Sequence, residues 1–227
     1  MLQAVREQRP ALLAGIVMAS TMFLTIAYTT ALLKSLIEHG LVRNRIVDLV
    51  GGVAVSTLLP EQASPGVDEQ ARLNLFLCYV APNTRVRSLE SRARSEQLSA
   101  GAPLALDLHY TISAFSAKEL HAELLLGYVS EFFSDRPGLS FQAGSWCVQG
   151  SPTIKEKEAI GSPSVPGVTA DLPMQIGSIA IRPLFPNPDE LSKLWSALQV
   201  KYRPSLNYKV EIQPDRIGRL ATPVGAH

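Results

Sequence analysis

Two stretches of this 227-residue chain alternate apolar and polar residues one by one, the mark of half-buried strands. In the first, Leu104, Leu106, Leu108, Tyr110, Ile112 and Ala114 share one face, while Asp107, His109, Thr111 and Ser113 share the other. In the second, Leu206, Tyr208, Val210 and Ile212 oppose Asn207, Lys209, Glu211 and Gln213. Between Arg72 and Val80 both parities are apolar (Leu73, Leu75 and Leu77 against Phe76, Cys78 and Val80), as in a strand covered on both sides. The β-branched run Val53–Leu59 and the segment Gly177–Leu184 complete a set of about five strands.

Helical spacing shows elsewhere. Thr21, Thr25, Thr29, Lys34 and Glu38 form a polar stripe, with Phe23, Ile26, Ala27, Leu33, Leu36 and Ile37 mostly on another face. Gly40 is the expected stop, with a short helical continuation over 43–49 and a break at Gly51-Gly52. Ser116-Ala117-Lys118-Glu119 reads as a capping box, opening a helix whose apolar face is Leu120, Leu124, Leu125, Tyr128 and Phe132. Asn187, Pro188 and Glu190 form a second box, ahead of Leu191, Leu194, Trp195 and Leu198. Trp195 is expected in the core. The pattern predicts an α+β fold: a mixed, mostly antiparallel sheet with helices packed on it.

One domain is expected over 20–216. Residues 1–19 form an apolar extension or the start of the first helix, and 217–227 a flexible tail. Within the domain, 82–101 reads as an exposed arm. It carries Arg85, Arg87, Arg92 and Arg94 with Glu90 and Glu96, and little apolar material. Residues 141–175, broken by Pro152, Gly161, Pro163, Pro166 and Gly167, read as an irregular insertion.

The run Ala11–Leu33 carries no charge and is long enough to cross a bilayer. A signal anchor flanked by Arg6 and Arg9, a transmembrane helix and a soluble amphipathic helix all remain open. Met18 is also a possible start. The polar stripe from Ser20 onward favours the soluble helix, which leaves the membrane as a disfavoured partner.

Composition narrows the picture further. Hydrophobic residues at 46% and charged residues at 18% suit a packed core and exclude a disordered chain. A formal net charge of +1 provides no electrostatic footprint for nucleic acid and little repulsion between copies. The two cysteines, Cys78 and Cys147, have no metal-site spacing and suit a reducing cytoplasm.

Candidate chemistry is sparse. Asp107 and His109, two apart on one strand face, are the best catalytic-looking pair. No nucleophile or third ligand accompanies them, and they also fit the polar positions of an alternating strand. There is no glycine-rich phosphate loop, nucleophile elbow or His-Glu-x-x-His. A non-enzymatic chain without cofactor or metal is expected.

Four stretches, in order, resemble one family. They are Arg72–Val80 with Pro82-Asn83; Pro103–Tyr110; Ala122–Gly127; and Asp189–Leu198 running on through Tyr202-Arg203-Pro204-Ser205. The family is that of the tail-terminator, or cap, proteins of contractile injection systems. The resemblance implies a structural protein of a phage-tail-like particle. It would form a hexameric ring that ends the inner tube, engages the last sheath layer and stops polymerisation. Arg85, Arg87, Arg92, Arg94, Tyr202 and Arg203 are the candidate partner contacts.

Overall fold

The computed structural model describes residues 24–63, 70–84, 105–149, 159–168 and 172–213. The extension at 1–19, most of the arm at 82–101 with its four arginines, and the tail at 217–227 lie outside these residues.

The strands are β1 (Val53–Ser56), β2 (Ala71–Pro82), β3 (Leu106–Phe115), β4 (Gly138–Gln142), β5 (Ser145–Gln149), β6 (Ala159–Ile160), β7 (Ser178–Leu184) and β8 (Ser205–Gln213). The helices are α1 (24–43), α2 (Ile46–Val50), α3 (His121–Asp135), α4 (Leu172–Ile176) and α5 (Pro188–Ala197). One sheet of eight strands runs in the order β1-β2-β3-β8-β7-β4-β5-β6. β1 lies parallel to β2, and the other pairings are antiparallel. The α+β class is therefore as expected, but the sheet has eight strands among the described residues rather than about five.

Of the additional strands, β5, β6 and the last two residues of β4 fall within 141–175, where irregular structure was expected. β4 and β5 join through Ala143-Gly144, both at positive φ (49° and 83°), as a two-residue hairpin turn requires. Ala-Gly lacks the Asn-Gly or Asp-Gly signature that would have advertised the turn.

The predicted apolar faces of β3 and β8 meet the helices. Leu108, Tyr110, Ile112, Tyr208, Val210 and Ile212 are buried in one cluster with Tyr28, Leu32, Leu33 and Leu36 of α1 and Leu125, Val129, Phe132 and Phe133 of α3. Each such side chain contributes about 1.5–3 kcal/mol when fully buried. Several polar tips inside this layer have partners, although the buried Thr29 hydroxyl has none among the described residues. Trp146 Nε1 donates to the Tyr28 hydroxyl at 2.8 Å, and the Tyr110 and Thr30 hydroxyls lie 2.8 Å apart. α1 thus ties together strands from both halves of the sheet.

α3 differs from expectation at its start. Ser116 Oγ accepts from the Lys118 N–H, which folds 116–118 as a turn, and the helix begins only at His121. Its cap is Leu120, at φ 63° with no side-chain hydrogen bond. Leu120 and Leu124, expected inside, are 63% and 52% exposed. The buried stripe is Leu125, Val129, Phe132 and Phe133, because the later start puts these residues on the sheet side. α5 matches its signature: Asn187 and Glu190 exchange reciprocal 2.9 Å bonds, and Trp195 is buried.

Gly40 marks where α1 crosses α3. A Cβ there would lie 2.3 Å from Phe132 Cε2 and 2.5 Å from the Tyr128 hydroxyl. Those ring atoms are packed and give way poorly. Gly40→Ala should therefore destabilise the domain by about 1–3 kcal/mol by overpacking, despite alanine's better helix propensity. Urea unfolding at neutral pH measures it.

Candidate functional site

The sheet face away from α1 and α3 is polar, and its residues line up in rows across four strands. One row runs Tyr79, His109, Lys209, Arg182 across β2, β3, β8 and β7. The next row runs Ala81, Asp107, Glu211, Ala180. Cations in one row therefore stand beside carboxylates in the other. Lys209 Nζ lies 2.6 Å from Glu211 Oε1 and 3.6 Å from Asp107 Oδ2. Arg182 Nε donates to Glu211 Oε2 at 3.2 Å, and Asn83 Nδ2 donates to Asp107 Oδ1 at 2.7 Å.

The electrostatics follow from these contacts. Burial pushes the Glu211 carboxyl up, but the hydrogen bonds and charges of Lys209 and Arg182 outweigh it and hold the group below 4.5. The hydrogen bond to Glu211 raises the Lys209 ammonium above 10.5. His109 goes the other way: burial is the main cause of a value below 6.5, Asp107 opposes the shift, and Lys209 adds to it.

Asp107 and His109 share this face as predicted. They do not form an acid–base pair through Nδ1, which is buried with no hydrogen-bond partner. The carboxylate is held by Asn83 and Lys209 instead, and the imidazole stacks on Tyr79 at 4.0 Å and 14°. Farther along the face Thr111 accompanies Cys78 (3.0 Å) and donates to Asn207 Oδ1 at 2.7 Å. Thr111, Ser113 and Phe115 are buried, so this part of β3 is covered on both faces rather than half-buried.

Of the predicted partner contacts, Tyr202 and Arg203 are described, and they sit together. Tyr202 is 61% exposed and meets Trp195 edge-on, with ring centroids 5.9 Å apart. The Arg203 guanidinium lies 4.8 Å from the centre of the Phe115 ring. Arg203, with Lys118, Leu120 and Glu123, borders an open cavity of about 550 Å³. It lies at the C-terminal end of β3, the opposite end from Asp107 and His109. Arg85, Arg87, Arg92 and Arg94 lie outside the described residues, so the structure does not place them beside this pair. Sequence reasoning missed Tyr79, Asn83, Arg182 and Lys209 as one network. Charges spaced two apart on separate strands were the available signal, and only the strand pairing joins them.

A family model described as the Pvc16 N-terminal domain matches residues 28–222. The chain belongs to this family. The resemblance to cap proteins read from the sequence is borne out at the level of the family. No curated protein matches this Pvc16 N-terminal domain. Among solved structures, the domain is similar to the PVC sheath/tube terminator of an extracellular contractile injection system in its extended state. Identity is 16% and the TM-score 0.41, over 82% of this chain and 60% of that one. It is also similar to the tube-terminating cap of the anti-feeding prophage, with 18% identity and a TM-score of 0.40 over 76% of this chain and 51% of that one. The domain thus spans about half to three-fifths of the length of these two chains. Likeness this distant carries no inference about partners.

Glu211→Gln tests the paired rows. The folded carboxyl lies below its ordinary 4.5, so its contribution is present above that value and is lost as pH falls through the folded value. The variant should lose about 2 kcal/mol at neutral pH. The deficit should shrink as pH drops below 4.5. Urea unfolding at neutral and acidic pH reads both.

Proposed function

We propose that this chain is the structural cap of a contractile injection system. Copies form a hexameric ring that closes the inner tube, engages the last sheath layer and ends polymerisation. The observation that carries this reading is the family match over residues 28–222. The particle assembles in the bacterial cytoplasm and is released or tethered afterwards. No helix among the described residues is long and apolar enough to cross a membrane.

Three physical features support assembly over catalysis. The catalytic-looking Asp107 is engaged by Asn83 and Lys209, and His109 is stacked on Tyr79. β2 is paired on its outer side only from Ala71 to Asn74 among the described residues, because β1 ends at Ser56. The Asn74 carboxamide accepts from Ser56 Oγ and the Leu58 N–H and donates to the Leu58 carbonyl, turning the chain away from the rest of β2. An unpaired edge of this kind is material for contacts between chains. Large apolar side chains also stand in solvent, with Phe185 at 89% and Tyr202 at 61%. A ring closes by heterologous contacts, which need two different surfaces on each copy.

Negative-stain microscopy of the purified chain, alone and with preformed tubes, tests the reading. Sixfold rings, and rings seated on tube ends, are expected. Dispersed monomers that leave tube ends bare would overturn it. Deleting residues 85–101 should abolish ring or tube attachment while leaving the domain folded.

A further inference from the structure

The β2–β3 hairpin has a weak base on one side of the sheet. Pairing between these strands shifts register between Leu77 and Tyr79, which leaves Cys78 as a bulge. Beyond the bulge, among the described residues, β2 is bonded to β3 only. Burial holds it lightly, because Tyr79 is 56% exposed and Val80 39%. Besides the backbone ladder to β3, which runs on to Pro82, and the bond from the buried Asn83 N–H to the Ala105 carbonyl (2.9 Å), side chains secure this end locally: Tyr79 stacks on His109, and Asn83 donates to Asp107.

We propose that His109 is an acid-sensitive latch for this end of the hairpin: a proton taken up by its imidazole releases Tyr79 and frees the last residues of β2 from β3. The neutral ring is tolerated because Nδ1, though unpaired and buried, need only be a vacant acceptor. The imidazolium must instead bury an N–H at Nδ1 with no acceptor, which costs more than a neutral unpaired group unless the strand moves.

The surrounding charges are divided: Asp107 favours the imidazolium, while Lys209 works with burial against it. Directly across β8 stands Lys209, and beyond it on β7 stands Arg182, so protonation would set three cations side by side in one row. The carboxylates of the neighbouring row are already committed: Glu211 to Lys209 and Arg182, Asp107 to Asn83 and Lys209. From β2, Tyr79 and Cys78 present a phenol and a thiol, both pushed above their ordinary values mainly by burial and neutral throughout the relevant range. From α5, Glu190 acts on Tyr79, and it bonds the Asn187 N–H at its own helix cap. Burial, with Lys209 adding to it, keeps the His109 imidazole below 6.5, consistent with a neutral ring at neutral pH.

The sign is therefore defined. A depressed histidine value means stability present above 6.5 and lost as pH falls through the folded value. Amide hydrogen exchange of the full chain, corrected for the intrinsic pH dependence of exchange, reads it locally. Protection at residues 79–83 and 107–109 should fall by up to about tenfold per pH unit below 6.5. His109→Phe keeps a ring against Tyr79 but takes no proton, and should lose this acid dependence. His109→Gln should lose it too, and serves if the phenylalanine variant does not fold. An NMR titration of the wild-type imidazole should show proton uptake below 6.5 coincident with the loss of protection. Equal acid sensitivity in wild type and a folded variant would overturn the latch. So would an imidazole that titrates with no change in exchange.

Discussion

The register between β3 and β8 is the constraint on which the molecule depends. These strands join β1-β2-β3 to β8-β7-β4-β5-β6, and among the described residues no other strand pairing bridges the two halves. A slip of one residue would turn Tyr208, Val210 and Ile212 away from α1 and α3 and drive Lys209 and Glu211 into the apolar layer. Two forces oppose that slip, and they differ in size. The six inward residues of the pair contribute about 1.5–3 kcal/mol each by burial. The partly exposed ion pairs on the other face contribute about 1 kcal/mol or less apiece. Burial therefore holds the sheet. The charge rows act mainly against the wrong alignment, because an unpaired Glu211 or Lys209 costs far more than the paired one returns.

The division between legible and hidden features follows the range of the forces. Period-2 alternation is local, so β3 and β8 could be read with the correct inward faces. So could the Asn187 box, since a cap needs only four consecutive residues. The Ser116 box had the same local form and did not cap α3, because the chain used Ser116 for a turn and set Leu120 at positive φ. β4 and β5 were hidden because the Ala143-Gly144 turn carries no signature and their burial comes from distant partners. Leu139 and Trp146 enter the core only through β7 above and Tyr28 from α1. The site was half legible for the same reason. Asp107 and His109 could be placed on one face, but what each contacts depends on Asn83, Tyr79 and Lys209, none of them a near neighbour in sequence except through pairing.

That partnership also explains why catalytic residue types occur here without a catalytic arrangement. A sheet face that is only partly covered must place polar side chains at every second position, and those under the cover lose water. Thr111, Ser113 and Glu211 are buried on this face. Each must then find a partner across the strands or carry an unsatisfied group, as Thr111 does with Asn207 and Glu211 with Arg182. Acid, base and imidazole in adjacent rows of one face are the expected residue of that requirement. A carboxylate beside a histidine becomes evidence of chemistry only when one orients the other, and here the carboxylate is turned to an amide and an ammonium.

An assembly protein places opposite demands on its interior and its edges. The interior must be fixed, and the two-sided use of β3 fixes it: α1 and α3 on one face, paired charges on the other. The edges must stay available, and among the described residues the outer side of β2 is paired only from Ala71 to Asn74. Asn74 spends its whole carboxamide on Ser56 and Leu58, which ends β1 after only four residues although β2 runs on to Pro82. A longer β1 would have covered β2 at the cost of one polar side chain. The buried amide stabilises the shorter strand instead, so the open edge results from an interaction that is itself fully satisfied. Among the described residues, that edge is left unpaired on a sheet held firmly at its centre, which suits the proposed ring role. It is also why the weak end of β2, and not the sheet as a whole, is the part that a single proton on His109 can move.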